Sequence, residues 1–395
     1  MASDVVQPAG MTPGRRLLGI SAAVAAISSV GIALGLGLPL LSLVMESRGV
    51  AGWAIGANTA MAGIASIAVT PLVTPVARRV GTAQLLVASI VTTAICFPLF
   101  YVFDSLGAWF VLRVLFHAAL ASAFILSEFW INALAPSRKR GLVMGIYATV
   151  LSIGFGVGPM ILSVSGSEGP LPFVIGLIIL LAAVVPVLFA FKANPPLDAS
   201  HGRGFLRFVT LVPMATFAAL VFGATESGLL SLLPIYGLRL GLDERTATLL
   251  VSAVALGNIG LQIPLGLLAD RTDRRVLLCA LALICTLLML ITPFAAHDTI
   301  LLFAVMMVFG GLFAGLYTVG LTHLGARLSG GDLASANAAF IFMYSVGMLG
   351  GPALGGLSID VEFTRHGFPL LLATFLGSYM LLGSWRILRD RRRGR

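Results

Sequence analysis

The stretch GLLADRTDRR (Gly266–Arg275) lies between two long apolar segments, and a degenerate copy of it occurs 192 residues earlier in the chain. That copy, TPVARRVG (Thr74–Gly81), keeps the paired arginines and lies between apolar segments of its own. It has threonine in place of Gly266 and, at an offset of 193 residues, alanine (Ala77) in place of Asp270. The pattern indicates that one half-chain unit has been duplicated.

A second motif repeats at nearly the same offset, because GFGVGP (Gly154–Pro159) is followed 193 residues later by GMLGGP (Gly347–Pro352). Glycines four residues apart share one helix face and permit close helix packing, and the proline frees a backbone carbonyl and permits bending. Since the motif occurs in both halves, we interpret it as hinge and packing geometry formed by Gly154, Gly158, Pro159, Gly347, Gly351 and Pro352.

The composition excludes a water-soluble domain, since 58% of the 395 residues are hydrophobic, 10% are charged and the mean hydropathy is +1.02. Apolar stretches of about 20 residues, each long enough to cross a bilayer, recur along the chain. We therefore predict an all-α membrane protein whose twelve transmembrane helices form two pseudo-symmetric six-helix bundles. The spans are placed near 17–44, 53–73, 84–103, 107–133, 141–164, 171–191, 208–236, 246–268, 276–295, 300–326, 334–358 and 368–388.

The arrangement of positive charge predicts the topology. Of the 25 lysines and arginines, 20 fall in the termini and in alternate loops, four fall in the opposite loops, and Arg113 lies inside a span. This bias places both termini in the cytoplasm of a multi-pass protein of the bacterial inner membrane. The net charge of +9 is thereby explained without nucleic acid, and the basic end of the chain is expected to contact membrane lipid.

The predicted organisation has five parts. Residues 1–14 are expected to be a disordered cytoplasmic segment, and the apolar run after them is read as an uncleaved first span. The first bundle covers residues 15–191, a cytoplasmic linker rich in proline and glycine covers 192–207, and the second bundle covers 208–388. Residues 389–395 form a basic cytoplasmic tail.

These motifs resemble those of the major facilitator superfamily (MFS) along essentially the whole chain. The segments SEFWIN (Ser127–Asn132) and LLPIYG (Leu232–Gly237) are similar, more narrowly, to the bacterial YcaD-like branch of that family. The resemblance implies a monomer in which the loop motif locks one conformation and releases in the other. The residues assigned to this switch are Gly266, Asp270, Arg271, Arg274 and Arg275. Asp270 is expected to face the N-terminus of another helix, and Gly266 to allow close approach of spans eight and eleven.

Ionisable side chains inside spans are the strongest chemical signal, because their burial is costly and is usually functional. Arg113, His117 and Glu128 share one stripe of span four, although Arg113 and Glu128 are about 22 Å apart along the axis. Glu226 lies in span seven between Thr225 and Ser227, and its sequence neighbours include no cation. We predict that Glu226 and Glu128 couple transport to protons. Glu226 could instead bind substrate, or be satisfied by hydroxyls or by Arg113.

Further polar residues in the spans are expected to line a cavity for a partly apolar organic molecule. Arg113 and His117 of span four are predicted to line it. The other predicted cavity residues are Asn58, Tyr147, Asn258, Gln262, Tyr317 and Tyr344. Glu128 has a second interpretation, as a latch that closes a cytoplasmic gate against His323 or Arg327.

The sequence thus predicts a secondary active transporter that moves a small organic solute by alternating access, coupled to protons, with efflux favoured over import. An importer or facilitator that uses Glu226 as a substrate ligand is the alternative within that class. A membrane scaffold or sensor is the alternative outside it. We expect no enzyme activity, cofactor or metal, because the chain has no nucleotide-binding loop, catalytic set or metal-ligand spacing.

Overall fold

The computed structural model describes residues 12–135, 140–191, 205–328, 330–361 and 365–392. These residues form helices connected by short loops. The helices are α1 (Pro13–Ser47), α2 (Gly52–Val80), α3 (Thr82–Val102), α4 (Leu106–Leu134), α5 (Arg140–Ser165), α6 (Leu171–Phe189), α7 (Arg207–Leu211), α8 (Pro213–Arg239), α9 (Glu244–Arg271), α10 (Arg274–Ala295), α11 (Thr299–Gly325), α12 (Gly330–Ile359) and α13 (Gly367–Arg392).

Twelve of these helices are long and apolar enough to cross a membrane, which confirms the predicted number of spans and the all-α class. The exception, α7, is a single short turn before α8. The chain bends between them at Val212, and Pro213 then occupies the first turn of α8. Proline is favoured at that position because it has no N–H to leave unsatisfied. The seventh span therefore begins later than the predicted residue 208.

Aspartates fix where three consecutive helices of the second half begin. The carboxylates of Asp243, Asp273 and Asp298 accept hydrogen bonds from backbone N–H groups at the starts of α9, α10 and α11. Such caps satisfy otherwise unpaired donors and place negative charge at the positive end of the helix dipole. The hydrogen bonds from Thr246 hold the pKa of Asp243 below its ordinary value.

The helices divide into two compact units. The first contains α1 up to Val44 and the chain from Ile64 through α6, and the second contains residues 45–63 together with α7 to α13. The predicted bundles differ from these units in one segment, because the end of α1 and the first half of α2 pack with the second half of the chain. Predicted linker residues 192–204 and the first eleven residues lie outside the described part.

Glycines bring helix backbones into direct contact in the first unit. A Cβ atom on Gly154 of α5 would lie 2.7 Å from the Cα of Gly31 in α1, and one on Gly158 would overlap the backbone of Gly35. Real side chains cannot occupy such spaces. The first copy of the Gly-xxx-Gly motif therefore lies at the α1–α5 contact.

The second unit repeats this arrangement between α8 and α12. A Cβ atom on Gly347 would overlap the carbonyl oxygen of Leu220, and one on Gly351 would overlap that of Ala224. Further along the same helix pair, a buried apolar cluster that includes Phe340 and Met343 anchors α12 against α8 and α11. These contacts fix how α12 is rotated about its axis and hence which of its side chains face α8.

The last helix is longer than the sequence suggested. We predicted that the final span ends at residue 388 and that a basic tail follows, whereas α13 continues to Arg392. Arginine is a good helix former, and Arg389 stacks its guanidinium 4.9 Å from the centre of the Trp385 ring one turn earlier. The arginines at 389–392 therefore extend the helix.

Candidate functional site

Glu226 has a hydroxyl partner in the neighbouring helix. The Tyr344 hydroxyl of α12 donates a hydrogen bond of 2.6 Å to the Glu226 Oε2 atom of α8. Glu226 is half-buried, and its neighbours Thr225 and Ser227 are buried. The Ser227 hydroxyl instead donates to the carbonyl of Gly223 in its own helix. The predicted alternative of hydroxyl pairing is thus realised by Tyr344, a residue predicted separately for the cavity.

Aromatic rings surround this carboxylate–phenol pair. Phe222, one helical turn before Glu226, stacks on Phe313 with ring centres 4.5 Å apart and lies 5.1 Å from Tyr317. Tyr317 in turn contacts Tyr344 at 6.2 Å and Phe340 at 5.1 Å. The second unit therefore joins Glu226, Tyr317 and Tyr344 into one aromatic, acidic cluster drawn from α8, α11 and α12.

Sequence reasoning did not include Phe222 or Phe313 among the site residues. A signal for them was present, because Phe222 precedes Glu226 by four residues and Phe313 precedes Tyr317 by four. Residues at this spacing lie on the same helix face. In a span composed almost entirely of apolar residues, that spacing alone does not distinguish a ring at the site from a ring facing lipid.

The other predicted cavity residues of the second unit lie outside this cluster of contacts. Asn258 and Gln262 are partly buried on α9, and the Asn258 Oδ1 atom has no hydrogen-bond partner among the described residues. Asn58 is fully buried in the part of α2 that belongs to this unit. Their assignment to a substrate cavity stays a prediction.

In the first unit, the structure places Arg113 and His117 together in the interior. Both side chains of α4 are buried, and the His117 Nδ1 atom lies 3.1 Å from the carbonyl oxygen of Arg113. The Arg113 guanidinium also lies 6.0 Å from the centre of the Phe100 ring. Since a carbonyl only accepts, this contact assigns the proton to Nδ1 and leaves His117 Nε2 as the acceptor.

Glu128 lies on the same helix nearer its other end and is half-buried. Its backbone carbonyl accepts a hydrogen bond from the Asn132 side chain. The preceding residue, Ser127, shares a hydrogen bond of 3.0 Å with the hydroxyl of Tyr147 from α5. Tyr147, predicted as a cavity residue, is therefore held against α4 one position from Glu128.

The proposed latch partners of Glu128 belong to the second unit, where His323 is buried near the end of α11 and Arg327 follows the helix. Both residues line one cavity of that unit, together with Arg275 and Arg386. Because Glu128 belongs to the first unit, the latch stays a prediction.

The loop motif from Gly266 to Arg275 is a cluster of charged residues whose contacts differ from those expected. Asp270 is 70% exposed and pairs loosely with Arg274 at 3.6 Å, so it does not face the N-terminus of another helix as we expected. Asp273 caps α10 instead, accepting from the backbone N–H of Arg275 at 2.8 Å. Arg275 also reaches Asp390 of α13 at 3.3 Å. Arg271 is exposed.

The role expected for Gly266 is wrong in this structure. A Cβ atom added there would meet no heavy atom within 4 Å, so Gly266 does not mark a close helix contact. The packing glycine of α9 is Gly257, which lies against Met307 and Gly311 of α11. Nine residues separate Gly257 from Gly266, and at about 100° per residue they lie on opposite sides of the helix.

A second charge cluster, which the sequence did not reveal, lies at the other end of the second unit. Arg239, at the end of α8, binds both carboxylate oxygens of Glu46 at 3.0 and 3.2 Å. It also donates to Asp360 Oδ1 at 3.0 Å, and Asp360 accepts from the backbone N–H groups of Gly52 and Trp53. This cluster ties together the ends of α1, α8 and α12 and the start of α2.

The same four helix ends are supported by close packing of α2 on α12. A Cβ atom on Gly56 would overlap the carbonyl oxygen of Pro352, and one on Gly63 would lie 2.5 Å from the backbone nitrogen of Leu349. Arg239 is one of the four basic residues that the sequence places in the loops opposite to the cytoplasmic ones. Its partners are more than a hundred residues away in the chain, so their pairing depends on the fold.

With the geometry established, comparison with known proteins identifies the family. The chain matches the model of the Major Facilitator Superfamily over residues 18–243 and 215–395. The chain belongs to this superfamily. It is therefore a multi-pass membrane transporter, which confirms the resemblance noted from the loop motif and the repeat.

Relatives cover most of the chain. It is 26% identical over 372 residues to the uncharacterized MFS-type transporter YfkF of Bacillus subtilis (strain 168), covering 90% of this chain and 92% of YfkF. It is 23% identical over 283 residues to the uncharacterized MFS-type transporter YcaD of Shigella flexneri, covering 70% of this chain and 71% of YcaD. The predicted relation to YcaD-like proteins is thus confirmed.

Solved structures share the fold. A crystal structure of the nucleoside transporter NupG has a TM-score of 0.75 at 15% identity, covering 94% of this chain and 98% of NupG. A bacterial homologue of the human lysosomal transporter Spinster, in an inward-facing and unoccupied conformation, has a TM-score of 0.74 at 14% identity, covering 96% of this chain and 99% of the homologue. At these identities the likeness shows the fold alone.

Proposed function

We propose that this MFS transporter moves a small, partly apolar organic solute by alternating access, and that Glu226 couples the movement to protons. The observation that carries the proposal is the hydrogen bond between Tyr344 and Glu226 at the edge of the aromatic cluster. A carboxyl group in an apolar span is costly to keep charged, so it favours exchange of a proton or contact with a charged ligand.

The aromatic cluster supports an organic solute. The Phe222 ring centre lies 4.5 Å from that of Phe313 and 5.1 Å from that of Tyr317, and the phenol of Tyr344 and the carboxylate of Glu226 supply polar groups that orient a ligand. Sites for small organic molecules combine mostly apolar walls with a few placed polar groups. Energy is assigned to the proton gradient, since one charge crossing 100 mV supplies about 2.3 kcal/mol.

Alternating access requires contacts that form in one state and break in the other. The cluster of Arg239, Glu46 and Asp360 is suited to this role, because ion pairs whose side chains are 21% to 31% exposed can exchange their partners for water at modest cost. We assign it to closure of the outer end. The loop charges around Asp270 and Arg274 are assigned to the opposite end.

Export is the proposed direction. Besides its packing role, the first GFGVGP copy, in span five, is similar to a signature associated with exporting antiporters, and this similarity favours export slightly over import. Glu128 is proposed as a second proton carrier. Arg113, His117 and Tyr147 are proposed to line the same pathway. An importer that uses Glu226 as a substrate ligand differs in one measurable respect, since substrate binding would then need the carboxylate itself.

Ligand-dependent thermal stabilisation across a panel of metabolites and drugs tests the proposal. We expect one class of organic solute to raise the Tm of the purified protein. Glu226→Gln should keep that response, because glutamine mimics the protonated carboxyl. Glu168→Gln, which removes an exposed loop charge, is the control. Loss of the response in Glu226→Gln alone would favour the importer, and absence of any ligand response across the panel would contradict an organic substrate.

A further inference from the structure

A basic cavity of about 120 Å³ opens in the second unit where α8 and α13 meet the end of α11. Its charged walls are Arg275, Arg327 and Arg386, with Asp390 beside them. The volume accommodates several water molecules, so a tetrahedral oxyanion fits. This end of the unit carries the arginine-rich loops that the charge bias assigns to the cytoplasm.

The charges in this cavity are not balanced within the described residues. Arg275 pairs with Asp390 at 3.3 Å and with Asp273 at 3.7 Å. Arg327 and Arg386 form no ion pair with a described carboxylate. The cavity therefore carries two positive charges that remain available to an anion.

A buried imidazole gives independent evidence of an absent ligand. His323 lines the cavity and is only 5% exposed, yet its Nε2 atom has no hydrogen-bond partner among the described residues. Leaving such an atom buried and unsatisfied is unfavourable, because it has lost its hydrogen bonds to water without gaining a replacement. An anion in the cavity would accept a hydrogen bond from Nε2–H and remove that cost.

The backbone adds to the attraction for negative charge. Val212, Pro213 and Met214 line the cavity at the first turn of α8, a helix of 27 residues. The N-terminus of a long helix carries partial positive charge and favours anions. Guanidinium groups, a buried imidazole and a helix N-terminus are together a typical environment for phosphate.

We propose that this cavity binds a phosphate group, supplied by the headgroup of an anionic lipid or by a free phosphate compound. The site is separate from the Glu226 cluster, and the proposal does not depend on what the protein transports. Its occupation would join α8, α11 and α13 at the end of the unit where the loop motif lies.

The test compares three forms of the full chain in a neutral detergent after removal of lipid. Inorganic phosphate, added against chloride at equal ionic strength, should raise the Tm of the wild type saturably. Arg327→Gln combined with Arg386→Gln should raise the phosphate concentration needed for the half-maximal Tm shift by roughly ten-fold or more. Arg78→Gln combined with Arg79→Gln removes the same amount of charge from exposed positions. This variant should show the same phosphate-dependent Tm shift as the wild type.

A second arm identifies the source of the phosphate. The same proteins are placed in nanodiscs of phosphatidylcholine, with or without phosphatidylglycerol. If phosphatidylglycerol raises the Tm and added phosphate then has no further effect, the site binds a lipid headgroup. If added phosphate raises the Tm in both kinds of nanodisc, the site binds a free phosphate compound. The proposal is overturned if the wild type responds to neither, or if the Arg327/Arg386 and Arg78/Arg79 variants respond alike.

Discussion

At the scale of single residues, the hydrogen bond from Tyr344 to Glu226 joins α12 to α8. Removing the hydroxyl in Tyr344→Phe should destabilise the protein when Glu226 is present and have little effect in Glu226→Ala. The coupling energy of this double-mutant cycle is expected to be about 1 kcal/mol or more, because hydrogen bonds to a charged group exceed the average. Thermal or denaturant unfolding in detergent measures it.

The control for this cycle is Tyr379→Phe. Tyr379 donates to the backbone carbonyl of Met214, so its removal should cost the same with or without Glu226. Additivity of Tyr344→Phe with Glu226→Ala would show that the 2.6 Å hydrogen bond does not contribute to stability.

His366 gives the protein a predictable dependence on pH. Burial, and then the positive charges of His297 and Arg365, lower the pKa of His366 below its ordinary value of 6.5, while its Nδ1 atom lies 2.9 Å from the hydroxyl of Tyr236. Below pH 6.5 the unfolded chain therefore binds a proton that the native site resists. This contribution to stability is present above that pH and is lost as the pH falls.

The measurement is the Tm of the wild type and of His366→Asn between pH 8 and pH 5, a range that spans the ordinary histidine pKa of about 6.5. The variant should be less stable at neutral pH, because it lacks the contact with Tyr236, and its Tm should fall less steeply towards acid. Parallel curves for the two proteins would contradict the assigned shift.

Residue types could be predicted better than residue partners. Glu226 stood out in the sequence because a carboxylate in an apolar span is rare, and Tyr344 was identified as a cavity residue. Their contact depends on how α8 and α12 are rotated about their axes, which the glycines at 347 and 351 determine. The Arg239 cluster was missed for the same reason, since its partners meet only in the folded chain.

At the scale of helices, two adjacent glycines of α12 make a sharp comparison. A Cβ atom on Gly351 would overlap the carbonyl oxygen of Ala224, whereas one on Gly350 would meet nothing within 4 Å. Gly351→Ala should therefore destabilise the protein by about 1–3 kcal/mol through overpacking. Gly350→Ala should be neutral or stabilise it by up to about 1 kcal/mol, because alanine favours helix.

Unfolding of the two variants in detergent measures the difference between them. Equal Tm values would contradict the close contact between α8 and α12. The comparison also tests the packing part of the assignment of the Gly-xxx-Gly motif, which the sequence proposed from its repetition alone.

Helix number was predictable because hydrophobic length is a local property, whereas helix ends depend on neighbours. The break between α7 and α8 follows from Pro213. The sequence contains this proline, but the apolar run that begins at residue 208 predicts one continuous span across it. Gly266 shows the opposite case. Its motif was recognised correctly, but the expected packing against span eleven requires a neighbour on its own face of α9, and a Cβ atom added at Gly266 would meet no heavy atom within 4 Å.

At the scale of the whole molecule, the charge bias predicts which loops face the cytoplasm. Cysteines introduced at Ser105 and Thr272 occupy exposed loops that the bias assigns to opposite sides. In intact cells, an impermeant thiol reagent should label Ser105→Cys and spare Thr272→Cys. The native Cys96, Cys279 and Cys285 are buried and serve as the internal background. Labelling of Thr272→Cys from outside would reverse the topology.

The central claim is that solute movement and proton movement share Glu226. The decisive measurement uses proteoliposomes that contain a pH-sensitive dye and the solute identified by thermal stabilisation. In the wild type, an imposed solute gradient should drive a proton flux. Glu226→Gln should bind the solute and exchange it across the membrane without moving protons, while Glu168→Gln should behave as the wild type. A normal solute-driven proton flux through Glu226→Gln would contradict the account.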